Sequence, residues 1–113
     1  MNNLYTQEIE ALWEHCGQVD VSATLDDLKR DIVKFSHMID PCRVWLADRN
    51  KLKNLQHSKD SYTLKHLAAD DIGDWVPHSV FVLSAYLEGF KLSKSKLRGD
   101  VYVVSTNIGA KKR

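Results

Sequence analysis

Residues 61–105 read SYTLKHLAADDIGDWVPHSVFVLSAYLEGFKLSKSKLRGDVYVVS, and the order of elements in this stretch decides the fold. Asp60 or Ser61 can cap a helix whose apolar stripe is Leu64, Leu67, Ala68 and Ile72, and Gly73 ends it. Trp75 and Val76 anchor the turn that follows. Pro77, already helical in φ and with no amide to lose, is placed to open a second helix. That helix sets Val80, Leu83, Ser84 and Leu87 inward and stops at Gly89. The chain then alternates: Phe90 and Leu92 open one strand, Val101, Val103 and Ser105 alternate with Tyr102 and Val104 in another, and Gly99-Asp100 lies between them.

Helix, turn, helix and a two-stranded ribbon is the order of a winged-helix domain. Its second helix would lie in the major groove and offer Arg, Asn, Gln or Lys to base edges. Here the outward side is His78, Ser79, Val82, Ala85 and Tyr86, with Glu88 at the end, so base readout is not expected. The edge around Trp75, His78, Val82 and Tyr86 reads instead as a protein-contact patch. The connecting loop is different, because Lys91, Lys94, Lys96 and Arg98 lie within eight residues and suit several phosphates. A solvated loop made lysine-rich to keep a strand edge from pairing is the competing account, and no aromatic residue stands there to stack a base.

Upstream, Leu4, Ile9, Leu12, Trp13 and Cys16 recur at near-helical spacing, predicting a first helix over about 3–16 that stops at Gly17. Ser22 or Thr24, followed by Asp26 and Asp27, starts a second helix carrying Leu25, Leu28, Ile32, Phe35 and Ile39 to Asp40-Pro41. Residues 41–56 read as a helix, although 42–46 also suit a strand, and 56–60 reads as a hinge loop. The expected fold class is mainly α with a small β-ribbon (α+β): a winged-helix-like C-terminal half preceded by an N-terminal helical pair. The expected organisation is one domain over 1–113, with a helical N-terminal region over 1–56, a winged-helix-like region over 61–105 and a mobile basic tail over 107–113.

Composition sets the frame. The 113 residues are 43% hydrophobic and 27% charged, ordinary for a globular chain that buries enough surface to fold without disulfides or metal. No apolar run approaches the ~20 residues that span a bilayer, and the polar, acidic start is unlike a signal peptide, so a cytoplasmic location is expected. The net charge of +1 hides an asymmetry: five Lys/Arg against nine Asp/Glu in residues 1–50, and eleven against six in 51–113. The basic half is the half with the ribbon.

Chemistry-bearing residues are sparse. Cys16 and Cys42 read as reduced, partly buried thiols, and their neighbours His15 and His37 do not complete a metal-ligand spacing. His57, His66 and His78 could each act as an acid or base at neutral pH, but none has a nucleophile beside it in sequence. Asp70, Asp71 and Asp74 oppose a helix C-terminus and read as solvated carboxylates. No catalytic residue, metal ligand or cofactor is expected.

The run Tyr62-x-Leu64-Lys65-His66-Leu67, then Trp75-Val76-Pro77-His78-x-Val80-Phe81-Val82, then Ala85 and Gly89-Phe90, resembles a segment of small uncharacterised proteins of bacterial plasmids, integrons and phages. His78-Ser79 stands where that pattern has Asn-Gly. The resemblance implies a mobile-element accessory protein and transfers no catalytic residue. Two functional expectations follow. In one, the protein binds nucleic acid through Lys91, Lys94, Lys96 and Arg98, helped by Lys111, Lys112 and Arg113. In the other, it contacts a protein partner, or a second copy of itself, through Trp75, His78, Val82 and Tyr86.

Overall fold

The computed structural model describes residues 5–113, so the Leu4 end of the first predicted helix lies outside the described residues. Five α-helices and four strands follow in the order α1 Thr6–Cys16, α2 Leu25–Lys34, α3 Ile39–Ala47, β1 Arg49–Asp60, α4 Ser61–Ile72, α5 His78–Leu87, β2 Lys96–Arg98, β3 Val101–Val103 and β4 Ser105–Lys111. The class is α+β. β1 pairs antiparallel with β4, and β2 with β3 across the Gly99-Asp100 turn.

The helix signals act as elementary capping chemistry requires. Thr24 accepts from the Asp27 amide while the Asp27 carboxylate accepts from the Thr24 amide, a reciprocal box that starts α2. Asp60 starts α4 by accepting from the Thr63 amide at 3.0 Å. Gly73, at φ 83°, ends it in the left-handed region and donates to the Ala69 carbonyl.

Helix α5 is the centre of the molecule. From His78 to Ala85 every residue is buried, and α1, α2, α3 and α4 all pack on it. A helix that is apolar around nearly its whole circumference can only be stable when covered on all sides, and His78-Ser79 and Ser84 do not break that character. The expected outward side is therefore corrected: His78, Ser79, Val82 and Ala85 are core residues, and only Tyr86 of that set is half-buried.

Other boundaries move for local reasons. The second predicted helix does not reach Ile39: α2 stops at Lys34, Ser36–Met38 form a 3-10 turn, and Ile39 opens α3 with Pro41 in its first turn, where a missing amide costs nothing. Residues 42–46 are helix, but Arg49–Asp60 form a strand where a helix and a hinge were expected. Phe90 and Leu92 make only an isolated bridge, Leu92 to Thr106, and Lys96 and Arg98 lie in β2 rather than in a loop. The tail is not free: Asn107 and Ile108 are buried in β4, opposite β1. The helix expected to 56 and the hinge loop expected over 56–60 are instead one irregular strand, whose shifts of register at three places break the alternation that would have marked it.

Close approach of β1 and β4 requires Gly109. A Cβ there would sit 2.9 Å from Leu52 Cδ2 and 3.0 Å from the Asn50 carbonyl oxygen. Gly109→Val should therefore destabilise the protein by about 2 kcal/mol, an overpacking cost, read as a lowered urea midpoint. An unchanged midpoint would mean that the two strands are not in contact at this position.

Candidate functional site

Three segments distant in sequence bring a carboxylate, an imidazole and a hydroxyl into one hydrogen-bonded row. Asp20 Oδ1 lies 3.0 Å from His78 Nδ1, and His78 Nε2 lies 2.7 Å from Ser61 Oγ. Each is held by its element. Ser61 is the first residue of α4 and His78 the first of α5, behind Pro77. Asp20 sits in the connector after α1 at φ 59°, a left-handed backbone that Asp tolerates, and exchanges two backbone hydrogen bonds with Tyr102 of β3. Ser61 is tied to Val104 twice: its amide donates to the Val104 carbonyl at 2.9 Å, and its Oγ accepts from the Val104 amide at 3.0 Å.

The protons can be placed from these partners. The bond from His78 holds the Asp20 carboxyl below the usual carboxylate range, against a smaller opposing effect of burial, so Asp20 is ionised and accepts from Nδ1–H. Nε2 is then the acceptor for the Ser61 hydroxyl, whose oxygen remains free to take the Val104 amide. Every group in the row thus has a partner.

Around this row lie aromatic and basic side chains. Tyr62 stands edge-on to both His66 and His78, with ring centroids 4.7 and 5.4 Å away. Lys65 is 4% exposed, with its Nζ 5.2 Å from the Tyr62 centroid and 5.6 Å from that of Trp75. Burial pulls the Lys65 amine below its ordinary value, partly offset by the Asp20 charge. Tyr62, Lys65, His66, Trp75 and His78, split in sequence between two helices and a turn, thus form one cluster.

Carboxylate, imidazole and hydroxyl in this order is also the arrangement of nucleophilic hydrolases, in which the serine must meet a substrate carbonyl. Here Ser61 is 0% and His78 3% exposed, and the hydroxyl is already committed to two bonds. What the row does in this fold is join four pieces of chain. It pins the connector after α1, the starts of α4 and α5, and the β3–β4 junction at one point.

The basic residues are placed very differently from a single loop. Lys91 lies across β1, its Nζ donating to the Lys53 carbonyl at 2.9 Å. Lys94 reaches the last turn of α1 and donates to the Glu14 carbonyl at 3.3 Å. Lys96 is exposed on β2, whereas Arg98 is ion-paired with Asp60. Lys111 lies 3.8 Å from the Asp48 carboxylate, and Lys112 and Arg113 are exposed. The cations that the sequence pattern did not single out are those of β1: Arg49, Lys51, Lys53 and Lys59. Their density in residues 49–59 was a readable signal, but assigning the segment to helix and loop concealed that a strand displays it. Of the protein-contact set, Trp75 is 56% exposed, His78 and Val82 are covered by the chain itself, and Tyr86 is half-buried.

The remaining titratable candidates sit apart. Burial pushes the Cys16 and Cys42 thiols up to about 11, and His15 bonds the Leu92 carbonyl at 2.7 Å. Asp71 accepts from Trp45 Nε1 at 2.8 Å and from Arg49 at 3.1 Å. Comparison with protein-family models, curated proteins and solved structures returned no match.

The row has a thermodynamic signature. Ser61→Ala orphans the Val104 amide and should cost about 2–3 kcal/mol in chemical denaturation. Asp20 adds a pH dependence. A carboxyl depressed in the folded state stabilises it above the unfolded value of 3.8 and loses that contribution as pH falls through the folded value. The stability gap between wild type and Asp20→Asn should accordingly be constant near neutrality and shrink below that value; a gap that stays flat into acid would show that the ionised carboxylate contributes nothing.

Proposed function

We propose that this is a non-enzymatic protein that binds nucleic acid phosphates with little base readout, using a basic strip made by β1 and the segment that crosses it. The observation that carries the reading is the placement of Lys91 on the Lys53 carbonyl, which sets Lys91 beside the cations of β1. Lys51, Lys53, Lys59, Lys91, Lys94 and Lys96 have no carboxylate in ion-pair reach among the described residues. Unneutralised cations on one surface bind phosphates by releasing condensed counterions, a sequence-independent attraction. Arg98 contributes less than its sequence neighbours, because Asp60 already neutralises it. Lys111, Lys112 and Arg113 extend the strip at the end of β4.

The order β1, α4, α5, ribbon, β4, with β4 between β1 and Leu92, supports a winged-helix-like architecture. The burial of α5 supports binding without an inserted recognition helix. No helix among the described residues is long and apolar enough to cross a membrane. With the plasmid and phage resemblance, the reading is a cytoplasmic accessory protein of a mobile element.

A second reading, contact with a protein partner, is favoured by Trp75, whose exposed ring is held edge-on by Phe35 at 5.1 Å. A rigid, exposed Trp is a usual anchor of interfaces. With Val82 in the core, that patch reduces to Trp75 and Tyr86.

Filter binding of an oligonucleotide at increasing salt separates the two. For the first reading, affinity falls steeply with salt, and Lys53→Ala/Lys91→Ala/Lys96→Ala lowers the magnitude of the log–log slope by about 2 to 3. Affinity indifferent to salt, or to the triple substitution, would refute it.

A further inference from the structure

Beyond the strip, a second feature concerns Arg49. Its side chain is 14% exposed, stacked on Trp45 with the guanidinium carbon 3.9 Å from the ring centroid, and ion-paired to Asp71 through Nη2 at 3.1 Å. Its Nε, however, is buried without a hydrogen-bond partner. An orphaned guanidinium donor costs free energy unless a ligand or water completes it. Arg49 also lines a cleft of about 470 Å³ together with Leu46, Ala47, Lys51, Glu88, Phe90 and Lys112.

The charge in this cleft is unbalanced. Lys51 leans over the Phe90 ring at 5.3 Å and has no carboxylate in ion-pair reach, nor has Lys112. The lining carboxylate, Glu88, is held by Arg43 at 2.6 Å, and nearby Asp48 faces Lys111. Two lysines without a carboxylate partner, with Arg49 already paired to Asp71 beside them, therefore surround a space whose walls at Leu46, Ala47 and Phe90 are apolar. A compact dianion with several acceptor oxygens matches that set better than a monovalent carboxylate, because it can engage the point charges of two lysines together.

We propose that this cleft binds a phosphate monoester group, with Lys51 and Lys112 on the phosphate and Leu46 and Phe90 against the organic part. The phosphate comes from a free phosphorylated small molecule or from the 5′ end of a nucleic acid strand. The cleft shares Lys51 and Lys112 with the strip, whereas Lys53, Lys91 and Lys96 of the strip lie outside its lining.

Calorimetric titration with inorganic phosphate and with AMP tests it. Wild type should bind both, and Lys51→Gln/Lys112→Gln should weaken binding at least tenfold while Lys53→Ala/Lys91→Ala/Lys96→Ala leaves it unchanged. Because Arg49→Ala also removes the stack on Trp45, the double lysine variant carries the test, with its circular dichroism spectrum as the check on folding. Tighter binding of a 5′-phosphorylated than of a 5′-hydroxyl oligonucleotide supports the strand end as the source. Equal binding of the two oligonucleotides, with AMP binding intact, supports the small molecule. Failure of wild type to bind inorganic phosphate and AMP, or binding unaffected by the double substitution, overturns the site. Salt-dependent binding of the 5′-hydroxyl oligonucleotide reports on the strip alone, so either failure is recognised without the other.

Discussion

The structure depends on one buried polar row, Asp20–His78–Ser61–Val104. Apolar burial drives collapse but is non-directional, and helices α1, α2, α3 and α4 around a largely apolar α5 have many packings of similar energy. The row removes that degeneracy. Its bonds are satisfied in a single arrangement, in which the connector after α1, the starts of α4 and α5 and the β3–β4 junction meet at fixed distances. Misplacing any one of them would strand a buried polar group, and the penalty for that exceeds the modest net gain of each bond made.

The position of the row explains the surface. By anchoring Val104 to the start of α4, it fixes where β4 begins, and β4 is the only partner of β1 among the described residues. β1 is long, exposed and bulged, with cations where a core strand would carry apolar side chains. Such a strand is guarded against pairing with another molecule by its own lysines, and the same lysines make it a binding surface for anions. The protective and the functional accounts of a lysine-rich edge are thus two consequences of one charge distribution.

Acidic residues complement this arrangement. Glu8, Glu10, Asp26, Asp27 and Asp31 lie on α1 and α2, at the opposite end of the sequence from the ribbon. Several second-half carboxylates are spent locally: Asp60 on Arg98, Asp71 on Arg49, Glu88 on Arg43. The net charge near zero is therefore a poor guide to the field around β1, which is set by which cations remain unpaired.

Local physical chemistry was legible wherever a signal acts over a few residues. The caps at Thr24 and Asp60, each one of two candidates, the stop at Gly73, the start after Pro77 and the turn at Gly99-Asp100 were legible, because each is decided by the conformational preference or hydrogen-bonding reach of one or two side chains. So did the α+β class. What tertiary structure alone decided is which faces are covered and which distant groups meet. Nothing in residues 78–86 announces that the surrounding helices will bury the side expected to face outward, and β1 exists as a strand because β4 supplies its hydrogen bonds. The row of Asp20, Ser61 and His78 joins residues 17 and 58 positions apart, and the orphaned Nε of Arg49 arises only once Trp45 and Asp71 have been folded around it. Such juxtapositions are properties of packing, where many weak contacts choose the arrangement together, and no short window of sequence contains them.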